Sequence, residues 1–272
     1  YPLRRQRQMC IRDRMKIVLI NPPFNLMREV YGGRGLEKFG HWPPLGLAYI
    51  AAYLLNCGHE VVIVDAPPLQ YALDDVVDEV LRVKPDIVGI TSLLTNSESA
   101  LGLAEQIKKR SSLPVIMGGP FPSLFTSELF RESESVDAVV RGEGEVAMAE
   151  IVRRIEDGAD LRGIPGVWFR DGDKIIANPP RDPEKNLDNF PFPARDIFPR
   201  KLYKPFPFQV VRTPVAGVIA SRGCSYGKCS FCTISRKFGY YYRRRSPENV
   251  VEELKILSRD YGYREVYFWD DN

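Results

Sequence analysis

From Met15 onward the chain alternates short apolar runs with helix-patterned segments, at a period of about 25–30 residues. Lys16–Asn21 (KIVLIN), Glu60–Val64 (EVVIV), Asp86–Thr91 (DIVGIT), Pro114–Met117 (PVIM) and Asp137–Val140 (DAVV) read as strands. Between and after them, Pro44–Cys57, Leu73–Val83, Ser97–Arg110, Ser123–Glu132 and Val146–Glu156 read as helices. The first run is apolar without interruption, as a strand covered on both faces requires. Five such units predict an α/β fold, a Rossmann-like doubly wound parallel sheet with helices on both sides. Ligands in such sheets bind beyond the carboxyl ends of the strands. The segments to watch are therefore Asn21–Phe24, Asp65–Pro68, Thr91–Asn96, Gly118–Pro122 and Gly142–Glu145.

Past Asp157 the pattern changes. Gly166–Ile176 reads as a hairpin turning at Asp171-Gly172, and the stretch from Asn178 to Pro207 is rich in proline and reads as a connector. Gly217–Ser221 opens a new strand. Ser246-Pro247 opens a helix, with Ser as N-cap and Pro at the first position. Glu265–Trp269 is a further strand. The expected division is a non-native prefix at 1–14, a first domain at 15–160, a hairpin and connector at 161–211, and the start of a second domain at 212–272. One strand–helix–strand unit buries too little core to stand alone, so the natural protein is expected to continue.

With 272 residues, 44% hydrophobic and 27% charged, the chain has a soluble globular composition rather than a disordered, collagenous or membrane one. Its formal net charge of +3 is uneven. Residues 1–14 (YPLRRQRQMCIRDR) carry five arginines and one aspartate, and the remainder is close to neutral. A basic arm for nucleic acid or membrane is one reading of that prefix. The favoured one is that it is foreign to the protein, so it is left out of fold reasoning. No run of 18 apolar residues and no signal peptide is visible, and a cytoplasmic location is expected.

The five cysteines are Cys10, in the prefix, Cys57, expected as a buried small hydrophobe, and a cluster of three. Cys224, Cys229 and Cys232 follow Ser221-Arg222-Gly223 with C-x4-C-x2-C spacing, directly after a strand. Three thiolates on one short loop can ligate three corners of an iron–sulfur cluster. A zinc completed by residues after 272, or three unrelated thiols, are the alternatives. The only histidines, His41 and His59, lie in the first domain and are expected to be structural. Gly223 and Gly227 let the loop fold tightly. Residues 212–245 hold eight basic side chains and no acid. With Tyr240-Tyr241-Tyr242 they could form a nucleic-acid groove. Neutralisation of bound anionic groups is the favoured reading.

The strand–SRGC…C-x2-C loop, with Phe231 before the last cysteine, resembles the cluster loop of radical S-adenosylmethionine enzymes. Its first gap is one residue longer than the family's commonest spacing. The continuation RRRSPENVVEEL…YGYREVYFWDDN resembles the next helix and strand of that family's βα barrel. PPLGLAYIAAYLLNCGHEVVIVDA, MGGPFPS and VVRGEGE resemble the cobalamin-binding domain that precedes the barrel in one subgroup. The resemblance implies an N-terminal fragment, inactive alone: a cobalamin-type sheet followed by the truncated start of the barrel. It implies Cys224, Cys229 and Cys232 on three irons of a [4Fe–4S] cluster, with S-adenosylmethionine on the fourth, cleaved to a 5′-deoxyadenosyl radical. Phe231, Asp270 and Asp271 would lie near S-adenosylmethionine. Thr91, Ser92, Gly118, Gly119, Pro120, Gly142, Glu143, Gly144 and Glu145 would surround the cobalamin tail, with the two glutamates accepting from it. The loop Tyr31–Trp42 would cover the corrin. Asn21-Pro22-Pro23-Phe24 lacks the histidine that some cobalamin proteins use to ligate cobalt.

The expected reaction is methylation of an unactivated carbon or phosphorus, on a small-molecule or peptide substrate. Flavodoxin or ferredoxin would be the electron donor. The alternatives are a radical cyclase or rearrangement enzyme of pigment, lipid or peptide-product biosynthesis, and a non-catalytic cobalamin sensor with a metal loop. Nucleic acid is not expected as a partner.

Overall fold

The computed structural model of the protein describes residues 14–24, 40–206, 208–233 and 242–271. The prefix with Cys10 and the greater part of the loop 31–42 lie outside the described residues. Five strands, β1 (Lys16–Asn21), β2 (Glu60–Asp65), β3 (Ile87–Thr91), β4 (Val115–Gly118) and β5 (Ala138–Val140), pair in parallel in the order β2-β1-β3-β4-β5. Strand order reverses on either side of β1, so a crevice opens between the ends of β1 and β3. In β1, Ile17, Val18, Leu19 and Ile20 are all fully or almost fully buried, which is why that strand shows no polar alternation.

Its side chains divide between two cores. Ile17 and Leu19 face α1 (Leu45–Asn56) and, later in the chain, the helix Glu145–Glu156. Val18 and Ile20 face the helices Leu73–Val83, Ser97–Arg110 and Thr126–Glu132. In chain order the helices are α1, α2 (Ala66–Leu69), α3 (Leu73–Val83), α4 (Ser97–Arg110), α5 (Pro120–Leu124), α6 (Thr126–Glu132) and α7 (Glu145–Glu156).

Two elements differ from expectation. The single helix expected at Ser123–Glu132 is two, because Phe125 leaves helical geometry (φ −119°, ψ 37°) between α5 and α6. The short α2 (APPL) was unexpected, since its prolines read as a loop. They sit in the first turn, where a missing N–H costs nothing. The hairpin β6 (Val167–Asp171) and β7 (Lys174–Ala177) does not stand apart. It adds antiparallel to β5 and completes a seven-stranded sheet.

The stretch expected as one strand over Gly217–Ser221 is split. β8 (Val215–Val218) pairs in parallel with β11 (Glu265–Phe268). β9 (Ser221–Arg222) pairs antiparallel with β10 (Arg243–Arg244). Between β10 and β11 runs α8 (Pro247–Arg259), where Ser246 Oγ accepts from Asn249 N at 3.1 Å, the N-cap its sequence predicts. Among the described residues, no helix is long and apolar enough to cross a membrane.

Candidate functional site

The carboxyl ends of β1, β3, β4 and β5, with the first turn of α1, enclose a cavity of about 320 Å³. Its inner wall is apolar, with Leu19, Ile116 and Met148 among the lining residues. Thr91, Gly118, Gly119, Pro120, Gly142, Glu143, Gly144 and Glu145 all line it, as their place after the strands predicted. Ser92 does not. It is fully buried, and its Oγ donates to Leu93 O at 3.1 Å.

Backbone shape explains the glycines. Gly119 has φ +100°, and a Cβ there would meet Ser92 O at 2.8 Å. A Cβ on Gly144 would meet Ile50 Cδ1 at 2.6 Å. The turn at Gly119 therefore needs glycine, whereas at Gly144 the neighbour is the end of a side chain that can shift.

Ile219, Ser221, Arg222, Trp269 and Asp271, all from the later part of the chain, also line the cavity. Arg222 is the pivot. Its Nη2 donates to Glu145 Oε1 at 2.6 Å, and its Nη1 lies 3.1 Å from Glu143 Oε1. Its guanidinium also stacks over Tyr49 and Phe190, at 5.2 and 4.9 Å from the ring centres. Arg243, opposite Arg222 across the β9–β10 pair, donates to Glu143 Oε1 at 2.7 Å. Two arginines facing each other across strands would repel. Glu143 sits between them and makes the pairing favourable.

Burial alone would raise the Glu143 carboxyl. The hydrogen bond from Arg243 and the charges of Arg222 and Arg243 hold it below its ordinary value. Burial opposes the charge on Arg222, but Glu145 and Glu143 outweigh that and hold its pKa above the usual arginine range. Burial lifts the Tyr49 hydroxyl to about 12. Glu143 and Glu145 thus line the cavity while their carboxylates serve Arg222 and Arg243. The basic stretch 212–245 is likewise partly spent inside the protein, since Arg245 pairs with Glu253.

Cys224, Cys229 and Cys232 are partly exposed and free. Gly223 and Gly227 beside them adopt left-handed backbone. Among the described residues, no three His, Cys, Asp or Glu side chains are arranged as a metal site, so the thiols share one loop without converging. Three unpaired cysteines on nine residues still fit a three-thiolate donor set. Phe231 is 88% exposed, on the same loop as the three thiols. Asp270 Oδ1 accepts from Ala220 N and Ser221 N at 2.8 and 2.9 Å, and Asp271 Oδ2 accepts from Gly223 N at 3.0 Å. Both aspartates brace the backbone leading into the cysteine loop, rather than ending a strand in solvent.

Sequence reasoning missed Arg222, Arg243 and Tyr49, although the arginine of SRGC and the run Arg243-Arg244-Arg245 were visible. Asp65, which opens one of the watched segments, is 2% exposed at the end of β2 and accepts from Asn21 Nδ2 at 2.7 Å and Tyr203 Oη at 2.8 Å, and neither it nor Asn21 lines the cavity. Cys57, expected as buried, is exposed just after α1. His59 is buried at the head of β2, away from the cavity.

A family model described as "B12 binding domain" matches residues 36–152. An uncharacterized methyltransferase of Pyrococcus horikoshii is 38% identical over 94% of this chain and 53% of its own length. An anaerobic magnesium-protoporphyrin IX monomethyl ester cyclase of Rubrivivax gelatinosus is 31% identical over 91% of this chain and 43% of its own. The chain thus spans about half the length of the curated relatives it matches. The radical S-adenosylmethionine methyltransferase of Kitasatospora setae has been solved with tryptophan and an S-adenosylmethionine analogue. It superposes with a TM-score of 0.73 at 20% identity, over 94% of this chain and 48% of that one. The same enzyme with cobalamin and a [4Fe–4S] cluster superposes with a TM-score of 0.69, over 95% of this chain and 48% of that one. Residues 36–152 thus match the B12 binding domain family, and the chain shares the fold of about half of that radical S-adenosylmethionine methyltransferase.

Proposed function

We propose that this chain belongs to a cobalamin-dependent radical S-adenosylmethionine methyltransferase acting on an unactivated carbon or phosphorus of a small molecule or peptide. One observation carries the reading. The cavity at the strand ends is lined both by the glycine turns of the B12 binding domain and by the segment that enters the cysteine loop. A whole corrinoid is too large for that cavity, whereas its nucleotide tail suits the apolar wall and small-residue turns. Thr91, Gly118, Gly119, Pro120, Gly142 and Gly144 would surround the tail.

Cys224, Cys229 and Cys232 would hold a [4Fe–4S] cluster, which when bound supplies the electron that cleaves S-adenosylmethionine. Asp270 and Asp271 hold the backbone of that loop, and Arg222 fixes the loop's origin over the B12 binding domain. An external donor such as flavodoxin or ferredoxin would reduce the cluster, in keeping with a cytoplasmic setting. Radical cyclisation is the second reading, favoured by the likeness to the Rubrivivax cyclase.

The test is direct. The folded chain should bind hydroxocobalamin and, after anaerobic reconstitution, take up about four irons. Cys224→Ala should abolish the iron. A folded chain that binds neither would refute the assignment. In the full-length protein, labelled methyl appearing in product would separate methyl transfer from cyclisation.

A further inference from the structure

Ser221 is among the residues that line the cavity and belongs to the segment that follows β8. It is 4% exposed, and its Oγ has no hydrogen-bond partner among the described residues. A buried hydroxyl without a partner is costly, so such an atom on a residue of the cavity wall points to a ligand that completes it.

The residue is also held with unusual firmness. Its N–H, with that of Ala220, donates to Asp270 Oδ1. It pairs with Arg244 in the β9–β10 ladder. The next side chain, Arg222, is clamped by Glu143, Glu145, Tyr49 and Phe190. With the backbone so held, the hydroxyl moves only by rotation about its own χ1. The other buried unpartnered atoms, Nδ1 of His59 and Nε of Arg170 and Arg243, belong to residues that do not line the cavity.

We propose that Ser221 Oγ hydrogen-bonds the nucleotide tail of cobalamin, so that the segment leading into the cysteine loop, and not the B12 binding domain alone, reads the cofactor. The inference rests on the proposed function, because it takes the cavity's occupant to be that tail. Its consequence is mechanical: Cys224 follows Ser221 by three residues, so tail binding and placement of the first cluster thiol share one braced segment.

The test is equilibrium dialysis of the full chain against two probes, hydroxocobalamin and a cobinamide, which keeps the corrin ring and lacks the nucleotide. Ser221→Ala should weaken hydroxocobalamin binding by roughly fivefold to tenfold, the worth of one lost hydrogen bond. It should leave cobinamide binding unchanged. Ser221→Thr, which keeps the hydroxyl, should bind hydroxocobalamin like the parent. Circular dichroism melts would establish that each variant is folded. Equal hydroxocobalamin affinity for the parent and a folded Ser221→Ala would overturn the assignment. So would a Ser221→Thr as weak as the alanine variant, since that pattern marks packing rather than hydrogen bonding. A folded parent that binds no hydroxocobalamin would instead remove the proposed function itself.

Discussion

The seven-stranded sheet and the β8–α8–β11 unit are held by opposite means. In the sheet, two apolar layers enclose the central strands β1, β3, β4 and β5, whose side chains are buried on both faces, and polar groups stay toward the edges. In the later unit the buried apolar cluster consists of Ala216, Val218 and Leu257. What fastens that unit is charge. Glu253, with a side chain 2% exposed, holds both Arg195 of the connector and Arg245 beyond β10. Glu143 and Glu145 hold Arg222 and Arg243. Apolar area stabilises without direction, whereas buried ion pairs add little net stability but fix geometry. The contrast teaches that the sheet is a self-supporting scaffold. The later unit is docked on it in one register, which a site shared between them demands.

The largest effect expected from breaking this contrast is at Glu253. Glu253→Ala leaves two buried guanidinium groups without their carboxylate, and loss of one member of such a set costs about 3–5 kcal/mol. The damage should fall on α8 and β8, read as accelerated amide exchange there while α4 and the sheet stay protected. Uniform exchange across both regions would show that they unfold as one, against the division drawn here.

The converse probe is Leu103, fully buried on α4 against the sheet. Leu103→Ala should cost about 2–5 kcal/mol by opening a cavity. In urea unfolding the loss should appear in the main transition, with the arginine–glutamate contacts of the later unit intact until it. A variant within experimental error of the parent would mean that the sheet core is looser than its burial implies.

Asp65 is the polar exception within the sheet. Burial lifts its carboxyl from 3.8 to about 6, against the hydrogen bonds from Asn21 and Tyr203 that favour the anion. The folded state therefore takes up the proton more readily than the unfolded chain. Between pH 4 and 6 folding binds a proton, so this group's contribution improves as pH falls through 6. The penalty is complete above 6 and on the order of 2–3 kcal/mol. Asp65→Asn should be the more stable protein at pH 7, and its advantage should shrink toward pH 4. A difference between parent and variant that stays constant with pH would show that Asp65 titrates normally.

Legibility in the sequence followed the same line. β1 was readable to the residue because double burial forbids polar alternation, and α3 and α4 because a single stripe of each is buried. Of the strand-end turns, those after β4 and β5 and Thr91 after β3 lie on the cavity, since their position follows from the alternation itself, whereas Asn21–Phe24 and Asp65–Pro68 after β1 and β2 do not. The ion pairs were not readable. Arg222 and Glu145 are 77 residues apart, Arg243 and Glu143 are 100, and Tyr203 and Asp65 are 138. No local pattern signals such partners, so the basic run seemed available for ligands. The break at Phe125 escaped notice because apolar residues on both sides keep helical spacing through it.

The smallest effect expected tests whether α8 depends on its own ends or only on its dock. Ser246 Oγ accepts from Asn249 N, while the Ser246 N–H donates to Asp188 Oδ1 at 2.9 Å, a contact back to the connector. Ser246→Ala removes the first bond and leaves the second, because the backbone N–H is unchanged. The cost expected for a lost N-cap is about 1 kcal/mol. It should be confined to the first turn of α8, as faster exchange at Asn249 and Val250, with the sheet untouched. A variant that frays as far as Leu257 would show that the cap, and not the buried glutamate, sets the stability of the helix, and the charge-docked account of the later unit would fail.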